Sequence, residues 1–307
     1  MEYIRRMEKA ILKTLAYYDI FGFPLKAWEV HKWLFGKEAS LKQVEKSLKT
    51  LIKKSKIKNK RDYFYLSNKK VLIQRRLVRE KISQQHLRKA IYISQLYRVI
   101  PGVKLIGVSG SLAMMGSGKQ DDIDLFVITE KNRIWLSRLL LILLTTITGF
   151  RRKRREKLLS AAGKICINLI LENDNLAQNK KNIYLAHEVL QMRVLWQREE
   201  VYSKFLHDNE WVFKYLPNWK SGIKQIQNFP RGSGLAKFKS QKYNSKVKNN
   251  GFVDWLEELA KKIQLKIMEN PSGQERIENG ALYFHPEDKG KKILEEYNRQ
   301  LKKLLFS

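Results

Sequence analysis

The chain has 307 residues, of which 43% are hydrophobic, enough for a real core and long enough for two or three domains. Its 61 Lys and Arg outnumber 30 Asp and Glu, a net charge of +31 that argues for a polyanionic partner, nucleic acid first and an anionic membrane surface second. The single cysteine, Cys166, excludes a disulfide framework and fits a reducing cytoplasm, and the opening MEYIRRMEKA lacks the apolar stretch of a signal peptide.

Residues 1–70 read as a compact helical unit followed by a hairpin. Ile11, Leu15 and Tyr18 give the stripe of a first helix that stops near Phe21-Gly22-Phe23-Pro24, and Leu25 to Leu34 form a second. A third opens at Ser40 with Gln43 three residues on, a capping box, and its buried side is expected to be Leu41, Val44, Leu48 and Leu51. Residues 57–66 alternate about a polar turn. Three helices and a hairpin resemble a winged helix, whose third helix would turn Lys42, Lys46, Lys49 and Lys53 towards phosphates of RNA or DNA. A docking or spacer domain with a solvated basic face fits the same pattern. Residues 72–100 form a linking helix with Val78, Ile82, Leu87 and Ile91 near one face, ended by Pro101-Gly102.

From Val103 to Thr129 an apolar run passes through Ser109-Gly110-Ser111 and, about ten residues later, reaches Asp122 and Asp124 in a second apolar run. Runs of this kind are buried strands, and residues two apart on a strand share a face, so the two carboxylates project together while Ile123, Leu125 and Val127 fill the other side. Two buried like charges call for a cation between them, and hard oxygen ligands suit Mg²⁺. A helix opening at Ser111 would offer its N–H groups, with those near Gly110, to a phosphate. Gly116-Ser117-Gly118-Lys119 imitates the end of a Walker loop, but Ala113 and Gln120 occupy positions where that loop needs Gly and Ser or Thr; Lys119 stays a candidate phosphate contact.

In the nearly all apolar stretch Ile134 to Phe150 the uninterrupted part, Leu139 to Ile147, is too short to span a bilayer and Arg138 interrupts the longer version, so it reads as a buried helix with no stable membrane insertion. The basic run Arg151 to Lys157 follows as a loop, and Ile165 to Leu171 as a third strand.

The order apolar-Gly-Ser, a gap of about ten, then Asp-apolar-Asp resembles the DNA polymerase β-type nucleotidyltransferase superfamily, its minimal members in particular, over residues 103–171. Gly110 and Ser111 match its Gly-Ser pair, and Asp122 and Asp124 its metal-binding carboxylates. The resemblance implies a third carboxylate on the third strand, where Asn168 stands instead; Glu172, further along the same face, is the alternative acid. An amide can ligate a metal but cannot take a proton, so activation of the attacking hydroxyl is the step this departure touches.

After the third strand, 183–199 and 200–215 read as helices. The first holds His187-Glu188-Val189-Leu190-Gln191, where Gln191 removes a zinc-peptidase reading and Glu188 is a candidate proton acceptor if its helix packs on the site. Residues 218–250 carry eight basic and no acidic side chains between Trp219, Phe229, Phe238 and Tyr243, and read as a basic arm suited to single-stranded nucleic acid or as a plain linker. Amphipathic helices at 252–268 and 288–306 are expected to pack on the core.

The expectation is therefore an α+β protein: a winged-helix-like unit (1–70), a nucleotidyltransferase core with a small mixed sheet and its linking helix (71–216), and a basic arm with C-terminal helices (217–307). The implied reaction is Mg²⁺-dependent transfer of a nucleoside monophosphate from an NTP to an acceptor hydroxyl. Its rival is a weak or inactive member of that fold acting as a nucleic-acid-binding regulator.

Overall fold

Helix α1 (Glu2–Ile20) buries Met7, Ile11, Leu15 and Tyr18, the stripe its spacing predicts. This and all that follows comes from a computed structural model, which describes residues 2–66, 71–152, 162–220, 251–268, 276–284 and 289–306. A turn through Gly22 leads to β1 (Leu25–Lys26), α2 (Ala27–Lys32), α3 (Leu41–Lys53), β2 (Lys58–Lys60) and β3 (Tyr63–Tyr65), with the three strands antiparallel in the order β1-β3-β2. That is the element order of a winged helix. The capping box of α3 forms as the sequence predicts: the Gln43 N–H donates to the Ser40 hydroxyl at 3.3 Å, and the Ser40 N–H donates to the Gln43 side chain at 2.8 Å. Val44, Leu48 and Leu51 are buried, and Lys42, Lys46, Lys49 and Lys53 are exposed. Leu41 is exposed as well, because the first turn of α3 projects past the core it serves.

Helix α4 (Leu72–Tyr97) departs from its expected stripe. Val78 is exposed, and the buried face includes Arg76 and Ser83 beside Ala90, Ile93 and Tyr97. Polar side chains can occupy a buried face only when their partners are built in. Arg76 bonds Glu29 of α2 at 2.8 Å and Glu80 at 2.7 Å while its guanidinium lies 3.5 Å from the Phe23 ring centroid. The arginine thus pins α4 to the N-terminal helices and strands.

Beyond Pro101-Gly102 come β4 (Val103–Val108), α5 (Gly110–Ala113), β5 (Ile123–Thr129), α6 (Ile134–Ile147), β6 (Ile165–Glu172), α7 (Ile183–Gln191), β7 (Arg193–Gln197), α8 (Val201–Asp208), α9 (Val212–Tyr215), α10 (Gly251–Met268), β8 (Arg276–Glu278), β9 (Ala281–Tyr283) and α11 (Lys289–Phe306). Six strands form a mixed sheet in the order β7-β4-β5-β6-β9-β8, in which β5 and β6 are parallel and the other neighbours antiparallel. The protein is of the α+β class. The parallel pair needs a crossover, which α6 supplies, and no described helix is long and apolar enough to cross a membrane.

One expectation changes in this region. The stretch predicted as helix to residue 199 ends at Gln191, and Arg193–Gln197 becomes a strand because β4 offers an open edge to its Val194-Leu195-Trp196. The hairpin β8–β9 extends the other edge on β6. Most of the 218–250 segment, with Phe229, Phe238 and Tyr243, lies outside the described residues, as does the run 153–157.

Buried apolar side chains on one sheet face, among them Leu105, Phe126, Ile128 and Leu171, join those of α1–α3, α7–α9 and α11 in one continuous cluster. The other face packs against α4, α6 and α10. At the centre of the first cluster lies His187, stacked on Tyr17 (centroids 4.0 Å apart, planes 18° apart) and on Trp33 (5.1 Å, 18°). Its Nδ1 bonds the Ile183 carbonyl at 2.9 Å, the geometry of a neutral ring with its proton on Nδ1.

Burial pushes the His187 pKa from 6.5 down to about 3. Between those values the unfolded chain binds a proton that the folded chain refuses. Stability is therefore full above pH 6.5 and falls by up to about 1.4 kcal/mol per pH unit as pH drops through this window. His187→Phe should keep the stack and flatten the loss of melting temperature between pH 7 and pH 5; equal acid sensitivity in both proteins would refute this role.

Candidate functional site

The strand β5 places Asp124 on the face shared with Phe126 and Ile128, opposite Ile123, Leu125 and Val127, and Asp122 sits just before the strand. On the neighbouring strand β4 the chain ends in Ser109, whose N–H donates to the Asp124 carbonyl at 3.0 Å, and then turns sharply at Gly110 with φ +60°. A Cβ on Gly110 would stand 2.8 Å from Asp124 Oδ2. Position 110 must be glycine both for its backbone and because the carboxylate occupies the space a side chain would take.

The Gly110–Gly118 loop is closed by Asp121, a residue the motif did not single out. Its Oδ2 accepts the Ser111 hydroxyl at 3.0 Å and the Gly118 N–H at 2.9 Å. Ser111 is thereby engaged within the protein, and the helix expected to open there is the four-residue α5. Lys119, in the same loop, is exposed and outside the cleft described below.

The third strand brings a different residue to the carboxylates than the motif comparison suggests. Parallel pairing sets Cys166 beside Asp124, and a register shift after Leu125 leaves Asn168 out of the ladder. Ligand atoms of Asp122, Asp124 and Cys166 lie within 4.8 Å of one another, the one such gathering of metal-ligating side chains among the described residues. Asn168 is buried, its Oδ1 has no hydrogen-bond partner, and it lines a separate cavity of about 860 Å³ on the far side of Glu188 and Lys289. Glu172 is not brought to the pair: it is in register with Thr129, about 16 Å along the sheet, and its Oε1 accepts the Asn132 N–H at 3.0 Å.

The carboxylates open into a cleft of about 960 Å³. Its walls come from the end of α1 and the turn to Phe23, from Arg75 and Arg79 on α4, from Tyr184, Glu188 and Gln191 on α7, and from Lys289, Ile293 and Glu296 on α11. Arg152 forms an ion pair with Asp122 at the rim. Glu188 does pack on the site, on the helical face next to that of the stacked His187.

Burial raises the Asp124 carboxyl well above the usual carboxylate range, and the Asp122 charge raises it further; Lys289 works against both. Burial likewise pushes Glu188 up to about 7, opposed by the hydrogen bond from Gln191 and by Lys289. The Cys166 thiol is pushed up by burial and then by the two carboxylates, so it stays protonated at neutral pH.

This donor set fits one hard divalent ion. Mg²⁺ takes one or two protein carboxylates and completes its shell with water and phosphate oxygens, which Asp122 and Asp124 provide for, whereas a protonated thiol is a poor ligand for it. A second ion would find no further carboxylate among those gathered within 4.8 Å. Cys166, Asp121, Lys289 and the two α4 arginines were not picked out by sequence. Asp121 stood next to the motif in Asp121-Asp122-Ile123-Asp124; the others depend on strand register and helix packing, which leave no local signature.

No family model and no curated protein matches the chain. Among solved structures, the crystal structure of a toxin–antitoxin with AMP-PNP is similar over 48% of this chain and 98% of that one, at 15% sequence identity and a TM-score of 0.23, values that carry no argument about fold or function.

Two substitutions probe the geometry without reference to any reaction. Gly110→Ala should cost about 1–2 kcal/mol for the left-handed backbone, and more as Asp124 is displaced. Asp124→Asn should raise the melting temperature by about 2–4 °C in metal-free buffer, because it removes a buried charge crowded by Asp122. A metal-free Asp124→Asn protein less stable than wild type would show that the two carboxylates are not in repulsion.

Proposed function

We propose that the cleft binds an NTP as its Mg²⁺ complex and transfers the nucleoside monophosphate to an acceptor hydroxyl, releasing pyrophosphate. The observation that carries this reading is the pair Asp122 and Asp124, the latter packed against a glycine that leaves no room for a side chain, at the floor of a cleft of nucleotide size with Arg75, Arg79 and Lys289 in its walls.

Asp122 and Asp124 would hold the ion. When bound, Mg²⁺ supplies charge neutralisation at the triphosphate oxygens. Arg75, Arg79 and Lys289 face the same cleft and carry the charge to pair with phosphates, a role the sequence assigns to the Gly110–Ser111 turn. With Ser111 bonded to Asp121, what the turn contributes is space for Asp124. Arg152 balances Asp122 at the rim.

The acceptor oxygen attacks the α-phosphorus, the bond to the pyrophosphate oxygen breaks, and the hydroxyl proton needs an acceptor. Glu188 lines the cleft, and with its carboxyl near pH 7 it can take a proton at neutral pH, which Asn168 and Glu172 cannot do from where they sit. The exposed row Lys42, Lys46, Lys49 and Lys53 on α3 suits a nucleic-acid acceptor held through its phosphates.

One observation favours a second reading. The position beside Asp124 is a protonated thiol, which offers no charge to a second ion, so a nucleotide-binding regulator with little turnover fits the site too.

Incubation with each α-labelled NTP, Mg²⁺ and a panel of hydroxyl acceptors tests the proposal. Labelled acceptor is expected from wild type and none from Asp124→Asn, which should also lose Mg²⁺-dependent NTP binding. Cys166→Asp should raise turnover by about one to two orders of magnitude by supplying the missing charge. Glu188→Gln should remove the rise in kcat as pH passes through about 7, where the Glu188 carboxyl ionises. Unchanged Mg²⁺-NTP affinity in Asp124→Asn sinks the site assignment, and tight binding without transfer by wild type and Cys166→Asp alike leaves the regulator reading standing.

A further inference from the structure

Helix α10 is packed with its apolar side outward. Phe252, Trp255, Leu259 and Ile263 form a stripe at helical spacing, the side expected to meet the core. The face laid against α6 is instead Glu257, Ala260, Gln264 and Met268. Both polar members of that face are fully used. Glu257 accepts the N–H groups of Trp135 and Leu136, each at 2.8 Å, capping the positive end of α6, while Gln264 donates to the Trp135 carbonyl at 2.8 Å and accepts from Arg138. Glu257 is 6% exposed and Gln264 3%, whereas Phe252 is 64% exposed and Trp255 58%. The partner helix α6 also leaves Leu143 and Ile147 exposed, the latter at 79%. Large apolar side chains gathered on the outward face of α10, with its polar ones held inward by specific bonds, mark a surface that something else covers.

We propose that this face docks on an anionic lipid bilayer, with α10 lying in the interface and no segment crossing it. An interfacial helix combines an apolar side carrying Trp and Phe with cations alongside, and here the Phe252 and Trp255 rings stack at 6.0 Å at one end while exposed Lys262 and Lys266 flank the stripe. The acid nearest the aromatic end, Asp254, is paired with Arg133 at 2.7 Å and so does not repel lipid phosphate. In the sequence, the run Arg151 to Lys157 follows α6 directly, and the eight basic and no acidic residues of 218–250 precede α10. Basic segments next to both apolar helices match the negative potential of a bilayer. The same charge argues against a second copy on this face, since two chains of +31 repel each other. Nucleic acid offers phosphates but no continuous apolar surface for the stripe.

The proposal is independent of the nucleotidyl-transfer reading. Full-length protein is sedimented with neutral phosphatidylcholine vesicles and with vesicles containing roughly 30 mol% phosphatidylglycerol, at about 0.1 M salt. Binding is expected on the anionic vesicles, weakened about tenfold or more by Leu259→Glu with Ile263→Glu at unchanged melting temperature. Lys42→Glu with Lys46→Glu on α3, twice the change in net charge, should weaken it less than about threefold. Trp255→Gln serves as a second variant should the double substitution fail to fold. The proposal is overturned by absence of binding to anionic vesicles, by equal binding to neutral ones, or by an α3 pair as damaging as the α10 pair. It is overturned as well by a lipid-free dimer that the α10 substitutions dissolve, which would assign the face to a second copy.

Discussion

A neutral imidazole held between two aromatic rings organises much of this molecule. His187 stacks on Tyr17 of α1 and on Trp33 just past α2, so one side of α7 is fixed to the N-terminal unit. The next residue, Glu188, lines the cleft. One turn of helix therefore couples the packing of the N-terminal elements to the position of a carboxyl group in the cleft of Asp122 and Asp124. The cleft wall from Tyr17 to Phe23 belongs to the same unit, and Arg76 adds a buried ion pair with Glu29 that holds α4, and hence Arg75 and Arg79, at the opposite wall. The N-terminal elements are part of the pocket, through a core continuous from α1 to α11.

At the floor of the cleft the constraint is crowding. Asp124 is pressed between the Gly110 turn and Asp122, and the protein relieves the repulsion only in part, through Arg152 at Asp122 and Lys289 further off. Such a carboxylate pair was legible from spacing alone, because a strand leaves residues two apart no choice of face. The residue completing the group was not. Motif spacing pointed to Asn168, but Asp124 pairs with Cys166, and the register shift that follows Leu125 leaves Asn168 out of the ladder. Register in a parallel pair is set by the crossover and by packing on both faces, and a one-residue irregularity leaves no mark in an apolar run such as Ile165 to Leu171.

Elsewhere, what could be read depended on whether the signal was local. The third helix announced itself by a cap and a stripe, both local signals; the cap formed, and of the stripe Val44, Leu48 and Leu51 are buried while Leu41 is exposed. β7 was hidden because Arg193–Gln197 follows a helix without a break and becomes a strand only when the edge of β4 is present to pair with it. α10 is the sharper lesson. Its period identified a helix correctly, but a period does not say which face meets the core, and two inward polar side chains that cap and bond α6 outweigh four outward apolar ones. A buried carboxylate that satisfies two backbone N–H groups at a helix start replaces bonds those groups would otherwise make to water, so the polar contact carries no desolvation penalty left unmet.

Charge ties these surfaces together. In a chain of +31, six acids, Asp19, Asp121, Asp122, Asp124, Glu188 and Glu296, line one cleft beside Arg75, Arg79, Arg152 and Lys289. The long-range field of such a molecule draws polyanions, while the cleft floor draws cations, and a low-dielectric concavity sharpens both. A simple anion would meet repulsion from Asp122 and Asp124, and a bare cation would meet repulsion from the rim. The proposed ligand, a polyphosphate carrying a divalent cation, would satisfy both fields at once, with the metal towards the carboxylates and the phosphates towards Arg75, Arg79 and Lys289. That complementarity depends on where the few acids of the chain are placed, which the composition alone could not convey.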